Sequence, residues 1–444
     1  MSTDKHINVL GAGLAGSEAA WQIARRGIPV HLYEMKPAKR SPAHKADGFA
    51  ELICSNSLRS DDVTSAVGLL KEELRRLGSL IMEAADKTRV PAGAALAVDR
   101  DKFSAYVTER LKAHPLVTVI EEEVTKLPED EITVVATGPL TSDTLADEIA
   151  ALVGGDELHF FDAVAPIVSF ESVDMSRAFF ASRWGKGDAD YINCPMEKDE
   201  YEAFLDALLH AETAPLHDID DDGKIQIFEG CMPVEIMAAR GEDTLRYGPL
   251  KPVGITHPET GKRYYAVVQL RRENDEGTMY NLVGFQTHLT FPEQRRVFRM
   301  IPGLESADFL RYGVMHRNTF LHSPALLDRD YKLRRRQNLY FAGQMTGVEG
   351  YIESAASGFV AGEAAACRLL GREAPDYTDE TEIGAMASYV SRGGLGDFQP
   401  MNANFGIIAS PDTKIRGGKK PRYEFYAKRA LEKIDAIVAE REKG

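Results

Sequence analysis

Residues 7–21 read INVLGAGLAGSEAAW: a short, mostly apolar run, glycines at 11, 13 and 16, and then a helix-forming stretch. No other feature restricts the fold as strongly. A GxGxxG turn between a strand and a helix gives each glycine a task. Gly11 permits the tight turn, Gly13 lets backbone approach a pyrophosphate, and Gly16 lets the helix lie close to the strand. Ala12, Leu14 and Ala15 complete the turn, and the helix start offers unpaired N–H groups and partial positive charge to phosphates. SEAAWQIARRG reads as an amphipathic helix ending at Gly27, and IPVHLYE, residues 28–34, as a second buried strand. Glu34 lies eighteen residues past Gly16, where a strand-end carboxylate holds ribose hydroxyls. The expected class is α/β, with a Rossmann-like dinucleotide-binding domain at the start of the chain.

The fingerprint alone does not separate FAD from NAD. Two later segments favour FAD. EITVVATGP, residues 131–139, reads as a strand running into a turn at Gly138. NLYFAGQMTGVEGY, residues 338–351, is a strand followed by Gly343, Gly347 and Gly350, where backbone can come close to a flat ring. The small-residue helix after it aims its positive end at the same place, suiting a reduced flavin. Between these pieces, YYAVVQL and YNLVGFQT read as strands, EYEAFLDALLHAE as a helix, and residues 218–222 as an acidic loop. The nucleotide fold is therefore expected to be split. Residues 1–168 and 303–444 form an FAD-binding domain, ending in a charged helix, and residues 169–302 an inserted α+β domain.

At 444 residues and 44% hydrophobic content the chain can bury a large core without staples. No apolar run is long enough to span a bilayer, and the N-terminus lacks the order of a signal peptide. The four cysteines, Cys54, Cys194, Cys231 and Cys367, form no CxxC or Cys/His cluster. Neither a metal site nor a membrane role is expected, and reduced thiols fit a cytoplasmic location. The net charge of −15 argues against nucleic acid, yet local basic runs exist at Arg334–Arg336 and in KIRGGKKPR, residues 414–422. Charge alone leaves the partner undecided.

FAELICSNSLRS, residues 49–60, places Cys54 among small polar residues rather than in an apolar run. Two readings stand side by side. A cysteine is most often a small buried hydrophobe, whereas one at a helix N-terminus in polar surroundings is a reactive thiol.

Taken together, GAGLAGSEAAW, PAHKADGFAELICSNSL, GSLIMEAAD, RVPAGAALAVDR, GCMPVE, VGFQT, YGVMHRNT, GQMTGVEGYIESAASGF and PMNANFG resemble the TrmFO family. These are folate- and FAD-dependent tRNA (uracil-5-)-methyltransferases related to the GidA flavoproteins. The resemblance runs from the first strand to about Ile408, and the chain is too short for the long C-terminal helical domain of GidA. It implies a GidA-related FAD domain and methylation of the T-loop uridine of tRNA. Methylenetetrahydrofolate would be the carbon donor and NADPH or NADH the reductant of the flavin. It also implies two reactive thiols: Cys54 as nucleophile and Cys231 as general base or auxiliary thiol, or the two exchanged. His316 and Arg317 are candidate folate contacts, with Lys251, Arg271 and Arg272 as further candidates for RNA or a folate carboxylate. A ribosomal RNA uridine as target, or a plain FAD oxidoreductase acting on a small molecule, are the alternatives. Oligomeric state is left open.

Overall fold

The structure is a computed structural model. It describes residues 5–41, 43–154, 157–163, 165–185, 188–214, 232–313, 315–392, 398–411 and 415–441; side chains of 157–163 and 315–319 lie outside the description. β1 (Ile7–Leu10), buried throughout, runs into α1 (Leu14–Ala24) and then into β2 (Val30–Tyr33), parallel to β1. There follow β3 (Ser57–Ser60), α2 (Ala66–Leu77), α3 (Leu80–Lys87), β4 (Arg89–Val90), β5 (Ala95–Val98) and α4 (Arg100–Lys112). Each of these helices starts where its sequence supplies a cap: the side chains of Ser65, Ser79 and Asp99 accept first-turn N–H groups. β6 (Val117–Ile120), β7 (Thr133–Val135) and α5 (Asp143–Val153) close this part.

The insert comprises β8 (Glu157–Ala163), β9 (Ile167–Ser169), β10 (Phe179–Ala181), β11 (Tyr191–Met196), α6 (Lys198–Leu209), α7 (Val234–Ala239), α8 (Thr244–Tyr247), β12 (Ala266–Arg272), β13 (Met279–Leu282), α9 (Phe291–Phe298), β14 (Phe309–Arg311) and β15 (Met315–Leu321). Its antiparallel sheet has the order β10-β11-β12-β13-β9-β14 and covers its own apolar core, around Val168, Ile192, Phe204 and Phe285. β8 and β15 pair as a separate two-stranded ribbon. The sheet thus begins at Ile167 and ends at Arg311, wider than the 169–302 expected, because β14 completes its edge beside β9. The acidic loop expected at 218–222 lies outside the described residues.

After α10 (Ser323–Leu326) the chain returns through β16 (Leu339–Phe341), α11 (Tyr351–Leu370), α12 (Glu382–Arg392) and α13 (Lys419–Arg441). The first sheet then has the order β16-β7-β1-β2-β6, parallel in every pairing. From β1 the chain first builds outward through β2 and β6, then crosses to β7 on the other side. The crevice at that switch, outside the carboxyl ends of β1 and β7, is where such sheets bind ligands. α1 is not amphipathic as expected: Ala15 to Ala24 are all buried, because α11 covers the face turned away from the sheet. Small residues make that contact close. A Cβ on Gly358 would sit 2.1 Å from the Ala15 carbonyl oxygen, and one on Gly362 2.7 Å from Ala19 Cα. Among the described residues no helix is long and apolar enough to cross a membrane.

Two buried acids sit where α12 meets α2. The Glu73 carboxylate accepts the backbone N–H groups of Glu382 and Ile383, each at 2.8 Å. Burial pushes the Glu73 pKa up to about 7, and burial followed by the like charge of Glu73 raises that of Glu382 well above the carboxyl range. An acid with a raised folded pKa binds its proton more tightly in the fold, so it destabilises the fold as pH rises past its unfolded value. Glu382→Gln is therefore expected to gain on wild type between about pH 5 and pH 8 in urea titrations; a parallel pH dependence of the two proteins contradicts the assignment. Gly358→Ala is expected to lower the unfolding free energy by about 1–3 kcal/mol in the same titration, through overpacking against α1.

Candidate active site

A cavity of about 480 Å³ opens at the carboxyl ends of β1, β7 and β16. Its floor is the glycine turn. Gly11 has φ +92°, and a Cβ there would meet the Ala136 carbonyl oxygen at 2.7 Å. A Cβ on Gly16 would lie 1.8 Å from the Gly11 carbonyl oxygen. These two glycines are required by the fold itself. Gly13, with φ −69°, differs: it lines the cavity, and a Cβ there would have nothing within 4 Å. Gly138, also in the wall, has equally open space around it. Space that the protein leaves beside a glycine backbone is what a dinucleotide phosphate needs. Leu14 and Ala15 line the same floor. The Ala12 N–H donates at 3.0 Å to Glu34 Oε2, and the Lys36 N–H at 3.0 Å to Oε1. Glu34, in the wall, thus ties the end of β2 to the turn.

The opposite wall comes from the returning part of the chain. Gly343 and Gly350, both with positive φ, line the cavity, and so does the first turn of α11 from Tyr351 to Ser354. The helix's positive end faces the space. Gly347, expected beside them, lies off the cavity, where a Cβ would strike the Phe398 ring at 2.4 Å. Its left-handed turn serves packing.

Cys54 stands half-buried in the same wall. No helix begins there; Ser55 and Asn56 lead directly into β3. What holds the loop comes from far along the chain. Tyr351 Oη accepts the N–H groups of Cys54 and Ser55 at 2.8 and 3.1 Å. Asn56 Nδ2 donates to the carbonyls of Val98 and Arg272 at 3.0 and 2.7 Å. Arg271, expected to meet substrate, donates from Nη2 to Ser55 Oγ at 2.5 Å and from Nε to Asn56 Oδ1 at 3.1 Å. It lines the cavity, yet much of its hydrogen-bonding capacity is spent on the cysteine loop. Burial, with Cys54 adding, pushes the Tyr351 phenol above its ordinary range, so it stands neutral as the acceptor of these two amides.

Other candidates fall elsewhere. Lys251 is exposed on the insert and does not line the cavity. His316 and Arg317 pair in register with Asp162 and Phe161 in the β8–β15 ribbon, and their side chains lie outside the described residues, as does Cys231. Cys194 is buried in the core of the insert, where burial pushes its thiol up to about 12 and leaves it inert. Sequence reasoning missed Tyr351 and also His44, whose Nδ1 lies 2.6 Å from Ser41 Oγ in the cavity wall. Only Tyr351 carried a signal, an aromatic residue directly after a glycine that opens a helix.

Fold and site define a two-domain α/β protein of the GidA-related, Rossmann-like FAD-binding class. The family model described as "Glucose inhibited division protein A" matches residues 6–373. Two solved structures of Aquifex aeolicus GidA superpose with a TM-score of 0.70 at 18% identity, covering 99% and 98% of this chain and 74% and 76% of theirs. Within that class, the chain belongs to the TrmFO family. It is 61% identical over 434 residues to the methylenetetrahydrofolate–tRNA-(uracil-5-)-methyltransferase TrmFO of Acetivibrio thermocellus, covering 98% of this chain and 99% of that one. It is 57% identical, again over 434 residues, to the protein of the same name from Heliobacterium modesticaldum, covering 98% of both.

The contrast between Gly13 and its neighbours is testable. Gly13→Ala is expected to change the stability of the cofactor-free protein by less than about 1 kcal/mol, the scale of an N-cap change. The same substitution should weaken FAD binding by ~10-fold or more, about 1.4 kcal/mol, in equilibrium titrations. Unchanged FAD affinity would mean that nothing passes over the turn.

Proposed function

We infer that this chain is a methyltransferase that moves the one-carbon unit of methylenetetrahydrofolate to carbon 5 of a uracil in tRNA. One observation carries the reading: Cys54 shares a cavity with the dinucleotide turn, in a chain 61% identical to an enzyme of that name over 98% of its length. FAD suits the residues present. Gly11, Gly13 and Gly138 would pass its pyrophosphate, Glu34 its ribose, and Gly343 and Gly350 its ring beside the start of α11. Bound there, the flavin supplies the electrons that make the transferred methylene a methyl group, with NADPH or NADH as the source of reducing equivalents. Gly16 and Gly347 support the turns from behind.

Carbon 5 of uracil is a weak nucleophile. A Cys54 thiolate adding to carbon 6 forms a C–S bond and pushes an electron pair onto the carbon 4 carbonyl. The enolate so made attacks the one-carbon unit through carbon 5. A base then removes the carbon 5 proton while the bond from the one-carbon unit to the folate nitrogen breaks and that nitrogen takes up a proton. As the exposed methylene is reduced by a hydride equivalent, the C–S bond breaks and the thiolate leaves. Cys231 takes the part of that base in this scheme; the exchanged assignment uses the same two sulfurs. The T-loop uridine is the proposed target, His316 and Arg317 the proposed folate contacts, and Lys251 a contact for RNA. Arg271 contributes by holding the Cys54 loop as well as by lining the cavity. A cytoplasmic setting, where tRNA and folate are both at hand, completes the reading. An FAD oxidoreductase acting on a small molecule would use the glycines but gives Cys54 nothing to do.

The test is transfer of label from methylenetetrahydrofolate to a T-loop hairpin with NADPH or NADH present. Wild type is expected to label the RNA, and Cys54→Ala to lose ~10²-fold or more of that rate while retaining FAD. No label from wild type with either reductant, with flavin turnover intact, removes the methyltransferase reading. Full activity in Cys54→Ala removes only the thiol assignment.

A further inference from the structure

Behind the Cys54 loop lies a group of charges, half-buried or buried, that do not balance. Arg100, the first residue of α4, donates from Nε to Glu273 Oε2 at 2.5 Å. Its Nη1 donates to the carbonyls of Leu52 and Ile53, the two residues before Cys54, at 2.5 and 3.1 Å. Its Nη2 is buried without a hydrogen-bond partner. Arg311, at the end of β14 in the insert, has its Nε likewise buried and unpartnered, and its charge interacts with those of Arg100, Cys54, Tyr351 and Glu273. Burial, and then the like charge of Arg100, lowers the pKa of Arg311. Among the described residues Glu273 is the one carboxylate paired with either guanidinium, and its second oxygen, Oε1, has no partner.

A buried guanidinium with an orphaned donor is costly and calls for an anion. Among the described residues the other charged groups around it do not supply one. Arg271, on Ser55, adds a further cation. Lys45 stands next to Arg311 as another like charge, with Glu51 beyond it accepting the backbone N–H groups of Lys45 and Ala46. Asp275 and Glu276 turn outward to Lys102. Tyr351 is the weaker acid of the two remaining candidates, and its oxygen already accepts two amides. The Cys54 sulfur remains. We propose that Arg100 and Arg311 act as positioning residues that hold Cys54 as a thiolate, with Arg311 carrying this charge across from the insert. The charge is thus complete only when insert and dinucleotide domain are docked.

This rests on the assignment of Cys54 to the reacting thiols, but alkylation tests it without RNA or folate, so the two can fail separately. Reduced, flavin-loaded, full-length protein is treated with iodoacetamide across a pH series, with the Cys54 peptide followed by mass spectrometry. Thiolate displaces iodide to give the thioether, so the rate reports the ionised fraction. The wild-type midpoint is expected below the ordinary thiol value of about 8.5. Arg311→Gln is expected to raise it by about one unit and slow alkylation at neutral pH roughly tenfold. Arg311→Lys, which keeps the charge, should stay within about threefold of wild type. A wild-type midpoint at or above the ordinary value overturns the proposal whatever the variants do. So does an unchanged midpoint in a folded Arg311→Gln protein. A merely structural role for Arg311 would lower the melting temperature without moving the midpoint.

Discussion

The close contact between α1 and α11 is the constraint on which the site depends. Ala15 against Gly358, and Ala19 against Gly362, allow two helices from opposite ends of the chain to meet nearly backbone to backbone. That contact sets the distance between the glycine turn at the start of α1 and the Gly343–Gly350 turns before α11. Larger side chains at those positions would push the two walls of the cavity apart. The dinucleotide floor and the helix end that faces it are thus spaced by the packing of two helices, a contact that begins at Ala15 in the floor itself and continues away from the cavity at Ala19.

A second layer of organisation joins the insert to this frame, and it runs through the cysteine loop. Asn56 bonds at once to β5's last residue and to the carbonyl of Arg272 in β12. Arg271 returns the favour from the insert, and Arg100 with Glu273 repeats the connection one layer deeper. The loop that carries Cys54 is consequently a joint between domains, and its shape reports their relative placement. Polar bonds make the joint, each of them directional, so a small shift of one domain breaks several at once.

Much of the frame was legible in the sequence. The unit from Ile7 to Glu34 is local, its contacts lie within a few tens of residues, and each glycine has a distinct steric task. The small-residue run of α11 was equally plain, since only a buried, close-packed helix needs it. Legibility fails where partners are distant. Tyr351 is 297 residues from Cys54, Arg272 is 216 from Asn56, and Glu273 is 173 from Arg100. No periodicity announces such bonds, so nothing in the sequence marks Ser55 and Asn56 as anchors for side chains from elsewhere. Gly347 was misplaced for a related reason: a positive φ suits a ligand and a neighbouring ring equally, and Phe398 decided it. The edge of the insert's sheet was missed because β14 has only three residues, too few for an alternating pattern.

The pairing of β7 with β16 has a consequence for how the chain is made. Val135 and its neighbours leave the ribosome some two hundred residues before Leu339, Tyr340 and Phe341, their partners on that side of the sheet. At ordinary rates of synthesis this leaves a wait of roughly 10–40 s. During it, β7 is an apolar parallel edge with one neighbour, while the insert is free to fold on its own core. An open edge of that kind is a template for pairing with another chain. The half-made protein therefore exposes, for that interval, a strand edge that β16 covers in the finished one, and slower translation of the insert would lengthen it.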